Sequence, residues 1–502
     1  MRGEDSRPKF EKQFSGEKLL PFAKSPPRFP VIFFFAVALI VGGLLSGRLL
    51  ISSGLKSDVH PPQPRRHVEQ LNGTTFNSTK TKQDPDGPPH ATCPEYFRWI
   101  YEDLRPWAGT RITKGMLEAA QKKAHFRLVI VKGKAYVEVY EKAYQSRDNL
   151  TLWGVLQLLR RYPGKLPDLD LMFNCDDRPE IYRKDYSGPQ APAPPPLFRY
   201  SGDDATLDIA FPDWSYWGWP EIRIKPWEEM LKDIKEGNKE MEWVKREPYA
   251  YWKGNPSVSH KRTDLLKCNL TRKQDWNARL YRQDWIEEWK GGFKGSNLAD
   301  QCVYRYKIYI EGKAWSASEK YIMACDSVTL IVRPHYYDFF SRSLIPMQHY
   351  WPISPNRNSI CSSIKFAVDW GNSHHQKAMA IGEAASKFIQ EELNMDYVYD
   401  YMFHLLNEYS KLLTFKPTVP SNATELSLES MASAVRRSVR KWMMKSFVKS
   451  PAVSDPCAMK PPYDPQSMEL WLTTKENSIK QVEEWEESSW ENNGDPTLNP
   501  MS

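Results

Sequence analysis

The stretch from Tyr306 to Val332 constrains the fold most, because it contains a complete strand, helix and strand. Tyr306 to Ile310 is a short run of aromatic and β-branched residues that stops just before Gly312. Ser327 to Val332 is an apolar run of the kind found in buried parallel strands. The pattern predicts a parallel βαβ unit, and with it a chain of the α/β class.

The helix inside this unit is predicted to begin near Ala317, because Ser316 and Glu319 have the spacing of a capping box. Its first turn would gather unpaired backbone N–H groups, the hydroxyls of Ser316 and Ser318, and the ammonium of Lys320. Such groups suit a diphosphate. A structural crossover that binds no ligand is the alternative, since many βαβ units have no ligand.

Carboxylates follow a second predicted strand, Leu169 to Asn174. Asp176 and Asp177 come just after its C-terminal end, where α/β sheets place their ligands, although ordinary turn residues would have the same appearance. Asp168 and Asp170 match the D-x-D pattern of metal-dependent sugar transferases. They precede or enter the strand rather than follow it, so we treat the metal site as the weaker alternative.

Aromatic residues are abundant, with 19 Trp, 25 Tyr and 21 Phe. Five of them lie within residues 211–220, which we interpret as a surface or cleft loop. Trp214 and Trp217 are candidates for a sugar or acceptor platform, and filling of the core is the alternative. A polar, basic loop runs from Gly254 to Arg262 and suits either a phosphate or solvent exposure.

The N-terminal region predicts attachment to a membrane. Residues 31–47 carry no charge and follow a basic segment, which favours a transmembrane signal anchor over 30–51 with a cytosolic tail at 1–29. A cleaved signal peptide is the alternative. Residues 52–92 are rich in Pro, Thr and Asn and are predicted to form a flexible stem.

Everything after the anchor is predicted to lie in the lumen of the Golgi or the endoplasmic reticulum. All seven cysteines and five glycosylation sequons follow the anchor, which fits an oxidising compartment. Seven is an odd number, so at least one thiol stays free or pairs with another chain. The net charge of +7 comes from 69 basic and 62 acidic residues, and this near balance argues against a nucleic-acid binder.

Four motifs follow one another along the chain: Asn174 to Pro179, the P-x-W-x-x-W of Pro212 to Trp217, the G-x-x-x-S that begins at Gly254, and YKIYIEG followed by WSASEK and CDS. In this order they resemble glycosyltransferase family 90, the CAP10-like and Rumi-type protein O-glucosyltransferases, and the chain looks like a plant-type member. The resemblance covers about residues 93–415.

The resemblance implies a GT-B-like α/β fold in which two Rossmann-like domains face a central cleft. We expect the domain with the catalytic base and acceptor side over 93–240, and the nucleotide-sugar-binding domain over 241–395. Residues 396–502 are expected to form C-terminal helices, including a basic helix over 434–448, and an acidic tail that is loose from Glu483.

The resemblance also assigns roles to residues. Asp177 falls on the general base of the family, and Arg262 on its first phosphate-binding arginine. Ser318 stands where the family has a second arginine, whereas Lys320 matches a neighbouring lysine. A family disulfide matches the spacing of Cys302 and Cys325; for Cys175 we expect Cys268 as partner.

The activity implied is inverting, metal-independent transfer from UDP-glucose or UDP-xylose to a hydroxyl of a glycan or protein acceptor, with no cofactor. The membrane is a further partner through the single-pass anchor, in type II orientation. The departure at Ser318 keeps a second hypothesis open, that of a catalytically silent lumenal protein that binds carbohydrate or acts as a scaffold.

Overall fold

A computed structural model describes residues 91–493, with side chains described up to residue 490. The predicted cytosolic tail, anchor and nearly all of the predicted stem lie outside the described residues. Within the described range, no helix combines the length and apolar character needed to cross a membrane.

The described chain alternates helices and strands in a mixed α/β fold. The strands are β1 (Phe126–Val131), β2 (Lys134–Val139), β3 (Leu169–Phe173), β4 (Phe198–Arg199), β5 (Gly202–Asp203), β6 (Ile209–Ala210), β7 (Glu247–Gly254), β8 (Ala278–Arg282), β9 (Tyr304–Tyr309), β10 (Val328–Val332), β11 (Tyr336–Tyr337), β12 (Trp351–Ile353) and β13 (Thr424–Leu426). The α-helices are α1 (Trp99–Leu104), α2 (Lys114–Ala119), α3 (Arg147–Arg161), α4 (Trp227–Lys239), α5 (His260–Leu265), α6 (Trp285–Lys290), α7 (Glu319–Met323), α8 (Ile360–Ser373), α9 (His375–Lys387), α10 (Met395–Leu412), α11 (Leu428–Ala434), α12 (Arg437–Lys445) and α13 (Pro465–Asn493).

The first sheet has six strands in the order β13-β2-β1-β3-β4-β6. The hairpin β1–β2 is confirmed, and its turn residues Lys132 and Gly133 both have positive φ angles, 52° and 72°. Such angles are typical of the tight turns that match the twist of a hairpin. β3, β4 and β6 run parallel, so the chain leaves β3 at the edge where α/β sheets carry their sites.

The second sheet has five strands in the order β12-β10-β9-β7-β8, all parallel to their neighbours. The βαβ unit predicted from Tyr306 to Val332 is confirmed as β9–α7–β10. Its helix is short, five residues from Glu319, and begins two residues later than predicted. All five residues of β10 are buried, as expected for a central strand covered on both faces. The second sheet is wholly parallel, whereas the first is parallel only over β3, β4 and β6 and antiparallel elsewhere. Together they fit a Rossmann-like α/β fold.

Contacts connect the parts of the chain that carry the two sheets. β5, from the first half, pairs antiparallel with β11, which follows β10. The Arg342 guanidinium forms a buried ion pair of 2.7 Å with Asp103, near the N-terminal end of the described chain. The domain boundaries given above remain predictions.

Three disulfides lie within the described residues: Cys93–Cys457, Cys268–Cys361 and Cys302–Cys325. The Cys302–Cys325 prediction is confirmed, and the expected pairing of Cys175 with Cys268 is wrong. Cys175 is free, and it is buried in the core that packs against the first sheet. Disulfides in this number are typical of proteins from oxidising compartments.

The C-terminal region differs from the sequence-based expectation. The basic helix predicted over 434–448 is observed as the shorter α12, which begins three residues later and ends three residues earlier than predicted. The acidic end is not loose up to Asn493, because α13 continues to that residue. Val482 of α13 is buried in the core of the second sheet, and Glu476 pairs with Arg333 at 2.7 Å. These contacts explain why the acidic segment at the C-terminal end forms an ordered helix.

Candidate active site

The loop after β3 places Asp177 beside the first sheet. Its carboxylate accepts a hydrogen bond of 2.9 Å from Arg147, at the start of α3, and 29% of its side chain remains exposed. The same Arg147 nitrogen donates to the carbonyl of Cys175 at 3.0 Å. Burial alone would lower the pKa of Arg147, but Asp177, together with Tyr200 and Cys175, outweighs that effect and holds the pKa above its usual range.

Two buried residues fix the backbone of this loop. The Arg199 guanidinium is fully buried and donates to the carbonyls of Asp176 and Arg178. Asp208 accepts from the N–H groups of Glu180 and Ile181 at 3.0 and 2.8 Å. Burial raises the pKa of Asp208 to about 6, although Arg199 opposes that rise. A loop held at so many points presents its carboxylate in a defined position.

Arg262 organises the other side of the site, at the C-terminal ends of β7 and β9. Arg262 is only 9% exposed, and its guanidinium donates to three carbonyls, those of Asn255, Ile310 and Glu311, at 2.9 to 3.2 Å. It also donates to the Ser316 hydroxyl at 3.3 Å. Burial lowers the pKa of Arg262 to about 10, so the group stays charged at neutral pH.

Ser316 and Ser318 lie beside this guanidinium, with their hydroxyl oxygens 2.8 Å apart. The predicted capping box is not formed, since the N–H of Glu319 bonds to the backbone carbonyl of Ser316. Among the described residues, the N–H groups of Ala317 and Ser318 have no acceptor. Gly254 is half-buried at the end of β7, next to Asn255. Four predicted donor-binding residues, Gly254, Arg262, Ser316 and Ser318, therefore meet at one place.

Lys320 is the exception. Its side chain is 2% exposed, and the ammonium pairs with Asp213 at 3.1 Å and donates to the Ser215 hydroxyl at 2.7 Å. Burial would lower the pKa of Lys320, but the ion pair with Asp213 keeps it above the usual value. The prediction that Lys320 faces a phosphate is wrong, because in the short helix α7 its side chain turns inward to satisfy a buried aspartate.

The predicted aromatic platform is also wrong. Trp214 and Trp217 are 2% and 0% exposed, and residues 211–220 are almost all buried, so the alternative of core filling is the one observed. The Trp217 indole donates to Tyr399 at 3.1 Å, and the Trp214 ring lies 4.1 Å below the guanidinium of Arg147. Trp214 thus supports the residue that holds Asp177.

A path of contacts joins the two sides of the site. Arg147 lies between Asp177 and Trp214, and the Trp214 ring meets the Trp315 ring with centroids 6.3 Å apart. Trp315 directly precedes Ser316. A second link is the hydrogen bond of 3.1 Å from Arg178 to the carbonyl of Lys313. The loop after β3 and the turn after β9 are therefore neighbours.

The D-x-D alternative is not supported by the geometry. Asp170 is buried and forms a bidentate pair with Arg127, at 2.8 and 2.6 Å. Asp168 accepts from the N–H of Lys132 at the hairpin turn, at 2.7 Å. Both carboxylates are engaged at the start of β3, opposite the end that carries Asp177.

Sequence reasoning missed Arg147 and Asp213. A signal existed for Arg147, since an arginine in the first turn of a helix opposes the helix dipole and needs a partner. Asp213 accepts from the N–H of Ser215 at 2.7 Å and also pairs with Lys320. Nothing in the sequence near Asp213 indicates its pair with Lys320.

Comparison with known proteins decides the family. The model of Glycosyl transferase family 90 matches residues 89–486, which is most of the chain. The chain belongs to glycosyl transferase family 90. Family 90 relatives include Protein O-glucosyltransferase 1 of Bos taurus, 27% identical over 379 residues that cover 71% of this chain and 91% of that protein. The human Protein O-glucosyltransferase 1 is 26% identical over 70% of this chain and 87% of its own length.

A third family 90 relative, the O-glucosyltransferase rumi homolog of Anopheles gambiae, is 28% identical over 64% of this chain and 79% of that protein. The chain is therefore a glycosyltransferase of the Rumi type, and such an enzyme needs a sugar donor and an acceptor.

Proposed function

We propose that this glycosyltransferase moves glucose or xylose from a UDP-sugar to a hydroxyl of a glycan or secreted protein, with inversion and without a metal. The observation that carries the proposal is the contact path from Asp177 through Arg147, Trp214 and Trp315 to Ser316. It supports a GT-B-like cleft in which a carboxylate from one Rossmann-like half faces an anion site from the other.

The chemistry assigns Asp177 as general base. Its partly exposed carboxylate takes the proton of the acceptor hydroxyl while that oxygen attacks the anomeric carbon. The bond from the anomeric carbon to the β-phosphate oxygen breaks, and its electron pair leaves with UDP. Attack opposite the leaving group inverts the configuration in a single step.

The diphosphate is proposed to bind to Arg262 and to the turn that runs from Gly312 to Ser318. Arg262 contributes a positive charge in a buried setting, where charge interactions are stronger than in water. The Ser316 and Ser318 hydroxyls and the N–H groups of Ala317 and Ser318 are donors for phosphate oxygens. Helix α7, with five residues, adds little dipole of its own. These groups would stabilise the negative charge that develops on UDP as it leaves.

The donor, the acceptor and the location are proposed from the names of the relatives, the disulfides and the N-terminal segment. The relatives' names favour glucose and a protein acceptor, while xylose differs from glucose by one CH₂OH group. The disulfides support a compartment of the secretory pathway, the Golgi or endoplasmic reticulum. The uncharged segment at 31–47 supports a single-pass anchor.

The test is a donor screen with the full-length protein, measuring UDP release from UDP-glucose, UDP-xylose and UDP-galactose with and without EDTA. We expect activity that EDTA does not change. Asp177→Asn should lower transfer by about 10²- to 10⁴-fold while UDP still binds. Asp176→Asn is the matched control and should stay near the wild-type rate, since the Asp176 side chain is 57% exposed.

Full activity in Asp177→Asn would overturn the assignment of the base, and loss in EDTA would overturn the metal-independent mechanism. If the wild-type protein neither transfers nor hydrolyses any of the three donors, the catalytically silent alternative replaces this proposal.

A further inference from the structure

Arg178 is an exposed cation at the boundary between the two sides of the site. It directly follows Asp177, and its Nε donates to the Lys313 carbonyl at 3.1 Å, on the turn that leads to Ser316. Burial raises the pKa of Tyr336, beyond that turn, and the nearby charge of Arg178 opposes the rise. The guanidinium therefore reaches from the loop of the first sheet to the turn of the second.

Three cations on the second-sheet side of the site, Lys261, Arg262 and Lys320, already have partners within the protein. Lys320 turns inward to Asp213 and Ser215. Arg262 gives hydrogen bonds to three carbonyls and to Ser316. Lys261 pairs with Glu311 at 2.8 Å. A diphosphate on this turn would find positive charge there, but few free donors from these three side chains.

Arg178 offers a positive charge and free donors as well. Its Nη atoms form no hydrogen bond with the described residues. We propose that Arg178 binds the diphosphate of a nucleoside diphosphate sugar, through a two-pronged contact of its Nη atoms with phosphate oxygens. This inference rests on the proposed function of the site. An arginine fork matches phosphate geometry, and charge-assisted hydrogen bonds of this kind are among the stronger ones in proteins.

The backbone of Arg178 is prepared for this role. Its carbonyl accepts from the buried guanidinium of Arg199, and the preceding residue's carbonyl accepts from the Ser201 hydroxyl at 3.1 Å. Since the backbone is already fixed, binding orders only the outer part of the side chain, which lowers the entropic cost. The same loop would then carry the general base and a cation for the leaving group.

The experiment measures the binding of UDP and of uridine to the full-length protein by calorimetry. The ligand that binds more weakly is measured by its competition with the other. The variants are Arg178→Gln, Arg178→Lys and, as matched control, Arg183→Gln; Arg183 is an exposed arginine whose Nε also donates to a backbone carbonyl, that of Asp204. We expect Arg178→Gln to raise the dissociation constant of UDP about tenfold and Arg178→Lys about threefold. The affinity for uridine should stay within twofold in all variants.

Each outcome decides between the claims. If wild-type protein binds no UDP, the proposed function fails and this inference fails with it. If wild-type protein binds UDP and Arg178→Gln binds it equally well, this inference is overturned while the proposed function stands. Parallel loss of UDP and uridine binding in Arg178→Gln would also overturn it, because that pattern marks a structural role.

Discussion

The guanidinium of Arg147 donates a 2.9 Å hydrogen bond to the carboxylate of Asp177 and lies 4.1 Å from the centre of the Trp214 ring. The arginine is only 6% exposed, so the aromatic ring beneath it and the carboxylate beside it define its position. Through the contact between Arg147 and Asp177, the packing of the first sheet's core determines the orientation of the proposed base.

The first prediction concerns Arg147 as a positioning residue. Arg147→Met should lower kcat by about 10- to 100-fold and leave the KM for the donor within twofold, because a misplaced carboxylate harms the chemical step rather than donor binding. Arg147→Lys keeps the charge and should recover part of kcat. Rates are measured per UDP-binding site, so that misfolded protein is not counted. An unchanged kcat in Arg147→Met would contradict the positioning role.

The second prediction concerns the buried pair of Lys320 and Asp213. Lys320→Met leaves the Asp213 carboxylate buried without its partner and should lower the free energy of unfolding by about 3–5 kcal/mol in urea titrations. The double variant with Asp213→Asn should lose less than the sum of the two single losses. Lys267→Met removes a half-exposed partner of Asp264 and should change stability by less than about 1 kcal/mol. Strict additivity of the two buried substitutions would contradict this coupling.

Local patterns predicted the local structure well. The hairpin at Lys132 and Gly133, the strand that ends at Phe173 and the βαβ unit around Tyr306 to Val332 each follow from residues close together in the sequence. The turn needs positive φ angles that Gly133 adopts without strain, and a parallel strand buried on both faces needs a continuous apolar run. Such requirements are visible in a short window of sequence.

Side-chain direction was harder to predict, because it depends on distant partners. Lys320 turns towards Asp213, which lies 107 residues earlier, and a five-residue helix gives no amphipathic pattern that would reveal this. Trp217 is buried because the chain brings its indole against Gly154 of α3 and beside Tyr399. The partner of Cys268 is Cys361, 93 residues away. No local signal selects among partners at such separations.

The third prediction concerns the contact between Gly154 of α3 and the Trp217 indole. A Cβ atom at Gly154 would lie 2.3 Å from a ring carbon of Trp217, so Gly154→Ala must displace the indole or the helix. We expect a loss of about 1–3 kcal/mol in stability, measured by urea unfolding. The control is Gly115→Ala in α2, where the nearest atom is 4.0 Å away and greater helix propensity should stabilise the protein by up to about 1 kcal/mol. A neutral Gly154→Ala would show that the indole does not fill this space.

The last prediction concerns Glu486 of α13, which is 3% exposed and accepts a 2.6 Å hydrogen bond from Ser363. Burial raises the pKa of its carboxyl to about 7, above the value near 4.5 expected in the unfolded chain. A raised pKa means that the folded state holds the proton more tightly, so this contribution to stability is fully present below pH 4.5 and is lost as the pH rises through 7.

Glu486→Gln cannot ionise and should therefore remove this loss. The free energy of unfolding of the wild-type protein, minus that of the variant, should become more negative between pH 5 and pH 8 by roughly 2–3 kcal/mol. Glu483→Gln, three residues earlier on the same helix, shows no comparable hydrogen bond among the described side chains and serves as control. Urea titrations of the three proteins at both pH values measure the difference. The contradicting result is a difference in the free energy of unfolding, between wild type and Glu486→Gln, that is the same at both pH values. The carboxyl would then ionise at its ordinary pH, and α13 would be packed less tightly against the second sheet than its burial indicates.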